Sequence, residues 1–203
     1  MDRNMETETQ RSKASQRKRK LIVEAAIKCF IEKGFHQTSI RDIASAANIS
    51  LGNLYNHFAS KSALILELAK LESLELETFI ILLGRDGNPA KLLAKFVDQF
   101  LDYCLDPINL ALSVEFIAEA SRNDEVGQAF CKNRIALIMA LKELIERGIV
   151  QGDFASDANS KLAPEFILDL IEGLAMRSTP TGKNSGKQVR RELHRIIEKY
   201  LGA

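Results

Sequence analysis

Apolar residues recur at helical spacing along almost the whole chain, and the breaks between the stripes fall on capping residues. Leu21, Ile22, Ala25, Ala26, Cys29 and Phe30 follow the i, i+3, i+4, i+7 spacing of a helix with one buried face. Gly34 can take the left-handed conformation that ends helices, and Phe35 can fold back on the last turn. Thr38 and Ser39 then offer N-cap side chains, and Asp42 stands three positions after Ser39, where a capping box has its acid. A short helix over residues 40–47 turns Ile43, Ala44 and Ala47 inward. Asn48 tolerates a left-handed turn, and Ser50 caps a third helix over 51–58. Leu54 and Phe58, at i and i+4, share its inner face. Two short helices joined by a turn of about four residues make a helix-turn-helix, a weak pattern on its own because any bundle can produce it.

The remaining stripes predict longer helices over 60–83, 90–105, 108–121, 124–149 (stopped by Gly148 and Gly152) and 157–177. The last of these carries Pro164 in its first turns or at a kink. A loop over 178–186 precedes a final helix over 187–201. No alternating strand pattern occurs, so the predicted fold is all-α with about nine helices. Residues 1–15 are polar and without periodicity and read as a flexible tail. Residues 16–62 then form the helix-turn-helix domain, and 63–203 a larger helical domain.

Composition narrows the function. A chain of 203 residues with 46% hydrophobic and 27% charged residues has the material for a proper core. The net charge of +1 hides a polarity. Residues 1–61 carry a net charge of +5 and the rest −4, so only the front is suited to a polyanion. Arg11, Lys13, Arg17, Lys18, Arg19 and Lys20 stand in one stretch with no acid among them. They read either as a solvated arm or as an arm that contacts phosphates and releases counterions. Cys29, Cys104 and Cys131 show no metal or disulfide spacing and read as small hydrophobes. With no signal-like start and no apolar run of membrane length, a cytoplasmic protein is expected, without metal or cofactor. No nucleophile–base set or phosphate loop appears, and His36, His57 and His194 lie in unrelated segments, which disfavours an enzyme.

Residues 38–61, TSIRDIASAANISLGNLYNHFASK, resemble the signature of the TetR family of transcriptional regulators. The matching positions are Thr38, Ile40, Ile43, Ala44, Ala47, Ile49, Ser50, Gly52, Leu54, Tyr55, His57, Phe58 and Lys61, with Ala25, Ala26, Phe30, Gly34 and Phe35 upstream. So many coincidences at fixed spacing are far more specific than a generic helix-turn-helix. Residues 115–123 (EFIAEASRN) and 171–177 (IEGLAMR) are similar, more weakly, to a common C-terminal subtype. The resemblance implies a reader domain on double-stranded DNA, a C-terminal domain that forms a homodimer, and a small-molecule effector. It also implies phosphate contacts from Tyr55, His57 and Lys61, and from Thr38 or Ser39 at the second helix's start. The plain alternative for His57 and Lys61 is a solvated side chain.

The chemistry of the third helix agrees. Gly52 lets the helix start approach DNA closely, and Asn53 and Asn56 point away from Leu54, where they can pair with base edges, adenine especially. Leu51 departs from the family's habit of a polar or basic residue, and suits a thymine methyl or a sugar. Lys20 in the basic stretch and Ser50 at the helix head complete the DNA-facing set.

In the back half, Phe96, Phe100, Tyr103 and Cys104 share one face, with Phe116, Ala120, Phe130, Ile138 and Met139 as facing walls. Such stripes serve as core or as a ligand pocket. Tyr103, Glu115 and Glu119 are the polar groups that could orient a ligand there, and a glutamate in such a pocket favours a cationic one. The last two long helices offer Phe166, Leu170, Ile171, Leu174, Leu193, Ile196, Ile197 and Tyr200 as a dimer face, or as packing within the chain. The leading expectation is a repressor that binds a palindromic operator as a homodimer and is released by a small molecule. A non-DNA helical adaptor is the alternative, and would bind its partner without steep salt dependence.

Overall fold

In a computed structural model the backbone is described for residues 2–178 and 186–203, and side chains for 13–177 and 186–203. Among these residues the chain is helical, without strands, in the order α1 (Asp2–Gln37), α2 (Ile40–Ala46), α3 (Leu51–Tyr55), α4 (Lys61–Leu83), α5 (Pro89–Leu105), α6 (Pro107–Ala120), α7 (Asp124–Gln151), α8 (Ala163–Ser178) and α9 (Lys187–Leu201). Of the loop expected over 178–186, residues 179–185 lie outside the described residues.

Side-chain caps set most of the helix starts. Ser39 accepts from the amide of Asp42 while the Asp42 carboxylate accepts from that of Ser39, a complete capping box. Ser50, Ser60, Asn88, Asp106 and Asn123 accept from the first-turn amides of α3, α4, α5, α6 and α7. Each satisfies a donor that a helix start leaves open. Gly34 stands at φ +79°, outside helical geometry, so the packed part of α1 ends where the sequence indicates. Asn48 has a φ of +53° in the turn between α2 and α3. Gly152, at +78°, closes α7.

Several boundaries differ from the sequence reading, and α3, expected over 51–58, already ends at Tyr55. Helix α1 begins at Asp2 rather than after an aperiodic tail over 1–15. No proline or glycine interrupts residues 2–33, and good helix formers can extend a nucleated helix without an apolar face. Helix α8 begins at Ala163, so Pro164 sits in its first turn and makes no kink. The preceding segment turns instead, with Asn159 accepting from the amides of Lys161 and Leu162. Helix α7 runs through Gly148 to Gln151, because Gly148 makes room for the ring of Phe154 rather than ending the helix.

Two cores result. One joins α1, α2, α3 and the start of α4 around Ile22, Phe30, Phe35, Ile43, Leu54 and Leu64. The other lies among α4, α5, α7, α8 and α9 around Phe96, Leu101, Leu141, Ile145 and Leu168. Phe116 of α6 belongs to the first, although α4 and α5 separate α6 from the reader in sequence; it meets Phe35 edge-on with ring centroids 5.1 Å apart.

Candidate DNA-reading surface and helical cavity

The reader is built around α3. Leu54 and Phe58 are buried and anchor it, which leaves Ser50, Gly52, Tyr55 and Asn56 exposed and Asn53 and His57 half-exposed on the outer side. A Cβ added at Gly52 would meet nothing within 4 Å, and its φ is not positive. Nothing inside the chain therefore requires glycine there. Lys20, Arg17 and Lys18 are exposed on α1. Leu51 is half-buried against the reader core, so only part of it is left for DNA.

Two residues that the resemblance assigns to phosphates are held inside the chain. Thr38 is buried, and its hydroxyl lies 3.0 Å from the carbonyl of Cys29 and 2.7 Å from that of Gly34, so it ties the end of α1 to the start of α2. The Lys61 ammonium donates to the carbonyls of Phe35, His36 and Thr38 at 2.6, 3.3 and 3.1 Å. It caps the turn after Gly34, where unpaired carbonyls favour a cation. Ser39 stays exposed, but its hydroxyl is engaged with Asp42. The Asp42 carboxyl is held well below the usual carboxylate range by hydrogen bonds from Lys33 and Ser39.

Arg19, seen from sequence only as part of a basic run, has a structural task. It grips the Glu67 carboxylate with two nitrogens at 3.1 and 2.8 Å, donates to the carbonyl of His57, and lies 4.1 Å over the Phe58 ring. Paired charge, planar fork and aromatic face together fix the end of α3 on α1 and α4.

In the back domain a cavity of about 260 Å³ opens among α4, α5, α6, α7 and α8. Of the expected ligand residues, Phe100, Tyr103 and Phe116 line it. The other four lie elsewhere. Phe96 is fully buried core, stacked on Phe100. Met139 is more than half exposed on the outer side of α7. Glu119 is outside the lining. Glu115 points the other way and accepts a 2.6 Å hydrogen bond from the amide of Phe35, beside Gly34. It is thus a bridge from α6 to the reader rather than a group facing the cavity.

The polar groups that do face the cavity are Glu72, Ser113, Asn133, Arg134 and Glu172. The sequence holds a signal for them. Glu72 falls between Leu68 and Leu76, Arg134 between Phe130 and Leu137, and Glu172 between Leu168 and Ala175, each a charge on an apolar helical stripe. Arg134 is forked, to Glu172 at 2.6 Å and Asp169 at 2.5 Å. Asn133 donates to Glu72 and to the carbonyl of Ala69, both at 2.8 Å. Burial pushes the Glu72 carboxyl up to about 7, against the hydrogen bond from Asn133. Burial also raises the Glu172 carboxyl, with Arg134 opposing, and the Tyr103 hydroxyl and Cys104 thiol.

The expected dimer face divides. Ile171, Leu193 and Ile197 are buried within the chain's own core, and Leu170 and Leu174 are partly covered. Phe166, Ile196 and Tyr200 are exposed, the first and last in an edge-on pair at 6.1 Å, with Leu162 exposed nearby in sequence. No helix among the described residues is long and apolar enough to cross a membrane.

Comparison with known proteins agrees with this geometry. Residues 22–68 match the family model of bacterial regulatory proteins, tetR family, and residues 89–202 match that of the BetI-type transcriptional repressor, C-terminal. The HTH-type transcriptional regulator UidR of Escherichia coli K12 is 29% identical over 180 residues, covering 84% of this chain and 83% of its own. The HTH-type transcriptional repressor KstR2 of Rhodococcus jostii RHA1 is 30% identical over 160 residues, covering 73% of each. The solved structure of Salmonella enterica GusR superposes with a TM-score of 0.79 at 26% identity, over 92% of this chain and 96% of that one. Reader, cavity domain and likeness along nearly the whole chain lead to one assignment: this chain belongs to the TetR family of DNA-binding transcriptional regulators, which are not enzymes.

Proposed function

We propose that this regulator is a cytoplasmic repressor that binds a palindromic operator as a homodimer and is released by a small molecule in the cavity. The observation that carries the reading is the pair Glu115–Phe116 on α6. Phe116 lines the cavity and meets Phe35 of the reader, while Glu115 accepts the amide of the same Phe35. A ligand that shifts Phe116 acts on the end of α1, and through Thr38 and Lys61 on the start of α2. Only a difference in ligand affinity between two arrangements is needed, and a coupling of about 1–3 kcal/mol is enough to change operator occupancy.

The readers of two protomers must meet successive major grooves about 34–36 Å apart, because one half-site gives poor specific affinity. The exposed Phe166, Ile196 and Tyr200 supply an apolar face for that pairing. Asn53 and Asn56 are assigned to base edges, with Lys20, Ser39, Ser50, Gly52, Tyr55 and His57 around them on the phosphate backbone. Lys61 and Thr38 support these contacts from within by fixing the turn that carries α2.

The test is footprinting, together with cell-free transcription, on the DNA upstream of the chain's own gene. Two protomers on half-sites one helical turn apart, with lowered transcription, are expected. A single protomer on one half-site, or transcription unchanged by full occupancy, would overturn the proposal.

A further inference from the structure

The cavity's own chemistry narrows the effector, on the reading that the cavity is the effector site. Its lining is mostly apolar, and three of its side chains, Glu72, Glu172 and Arg134, bear the charge. The guanidinium is already engaged by Glu172 and Asp169, so an incoming anion would have to break an ion pair to reach it. Glu72 has only the neutral amide of Asn133 against one of its oxygens, and no described cation pairs with it. The lining therefore carries one carboxylate more than it has cations. On the adjoining walls Phe100 and Tyr103 stack 5.9 Å apart at 14°, and Phe116 and Phe130 lie 3.7 Å apart. Aromatic faces attract cations most strongly where water is excluded.

We infer that the effector is a small organic cation, an amine or a quaternary ammonium, its charge held by Glu72 and its apolar body against Phe100 and Tyr103. The modest cavity volume requires a compact molecule. A neutral ligand gains nothing from the charge of Glu72, and an anion meets it as a like charge.

Protonation follows from the same arrangement. With its carboxyl pushed up to about 7 by burial, Glu72 gains and loses its proton around neutral pH. The groups facing it are Glu75 on its own helix, Tyr103 and Cys104 on α5, Asn133 and Arg134 on α7, and Glu172 on α8. Tyr103 and Cys104 stay neutral, since burial raises both further. A bound cation favours the ionised Glu72, so binding expels a proton and affinity rises as pH climbs through 7.

Calorimetric titration with benzyltrimethylammonium, benzyl alcohol and phenylacetate tests the inference on the wild-type protein and on Glu72→Gln. The ammonium is expected to bind at least about tenfold more tightly than the other two, with affinity increasing from about pH 6 to pH 8. Glu72→Gln is expected to lose about that tenfold for the ammonium and to keep its weak affinity for benzyl alcohol. Phenylacetate binding as tightly as the ammonium, or no ammonium binding at all, overturns the cation assignment without any recourse to the variant. Adding each probe to the DNA complex separates the two readings. An ammonium that binds as expected yet leaves DNA bound supports the cation site and removes its role as effector site. Release by phenylacetate alone supports the effector site and removes the cation.

Discussion

Gly52 is the residue whose chemistry separates folding from function most cleanly. Its missing side chain relieves no crowding and no positive φ, and the role proposed for it lies outside the chain, where a phosphate or sugar would come. Gly52→Ala is expected to leave the melting temperature unchanged or slightly raised, since alanine is the better helix former by about 1 kcal/mol. It should weaken DNA binding all the same, and a loss of stability with intact binding would reverse the assignment. Glu72 is the opposite case, a residue that lowers the stability of the ligand-free protein. Its folded-state value of about 7 lies above the ordinary 4.5, so between those two values the folded chain holds a proton that the unfolded chain has released. Stability falls across that window as pH rises, and Glu172 adds to the slope in the same direction. Glu72→Gln should flatten that fall and raise the melting temperature by a few degrees at pH 8, read by circular dichroism across a pH series. An unchanged slope would place the titration elsewhere.

Among the elements, Gly148 shows how a residue that reads as a stop signal can instead be a packing device. A Cβ there would lie 2.2 and 2.3 Å from the Phe154 ring, which α7 and the segment after it hold almost fully buried. Gly148→Ala is expected to destabilise the back domain by roughly 1–3 kcal/mol through overpacking. A thermal melt would show it, and a neutral result would mean that the ring moves aside freely. The same contrast runs through the whole sequence reading. Caps and stripes were legible because they are local: Ser39 with Asp42, Ser50, Gly34 and Asn48 all do in the structure what their neighbours in sequence indicate. The orientation of a side chain between two elements was not. Thr38 and Lys61 belong to the family signature, yet they meet backbone carbonyls of the α1–α2 turn, which only tertiary folding brings to them. Glu115 and Glu119 looked like cavity groups because of their place on α6, but the helix turns Glu115 to the reader. Glu72, Arg134 and Glu172 were passed over because each looks like an ordinary surface charge until its stripe is counted. The start of α1 was missed for a different reason, since helix propagation from a packed segment needs no periodicity.

At the scale of the molecule, one chain presents two cores, joined at Phe35 and Phe116, and an apolar face left open at Phe166, Ile196 and Tyr200. Those three side chains are not needed for the monomer's own core, so their replacement by serine should leave helicity and melting largely intact. Light scattering should show the mass falling to that of a single chain, and operator affinity should fall with it. A persistent dimer would move the interface elsewhere. The central claim, that α3 reads DNA bases while the basic flank holds phosphates, is tested most directly by fluorescence anisotropy over a salt series. Wild-type protein and Asn53→Ala with Asn56→Ala would be compared on the DNA upstream of the gene and on an unrelated duplex. Tight, salt-sensitive wild-type binding that favours the upstream DNA is expected, with the variant losing roughly 1–3 kcal/mol of that preference per asparagine while keeping its salt slope. Wild type and variant binding both duplexes alike, or neither binding at low salt, would contradict it.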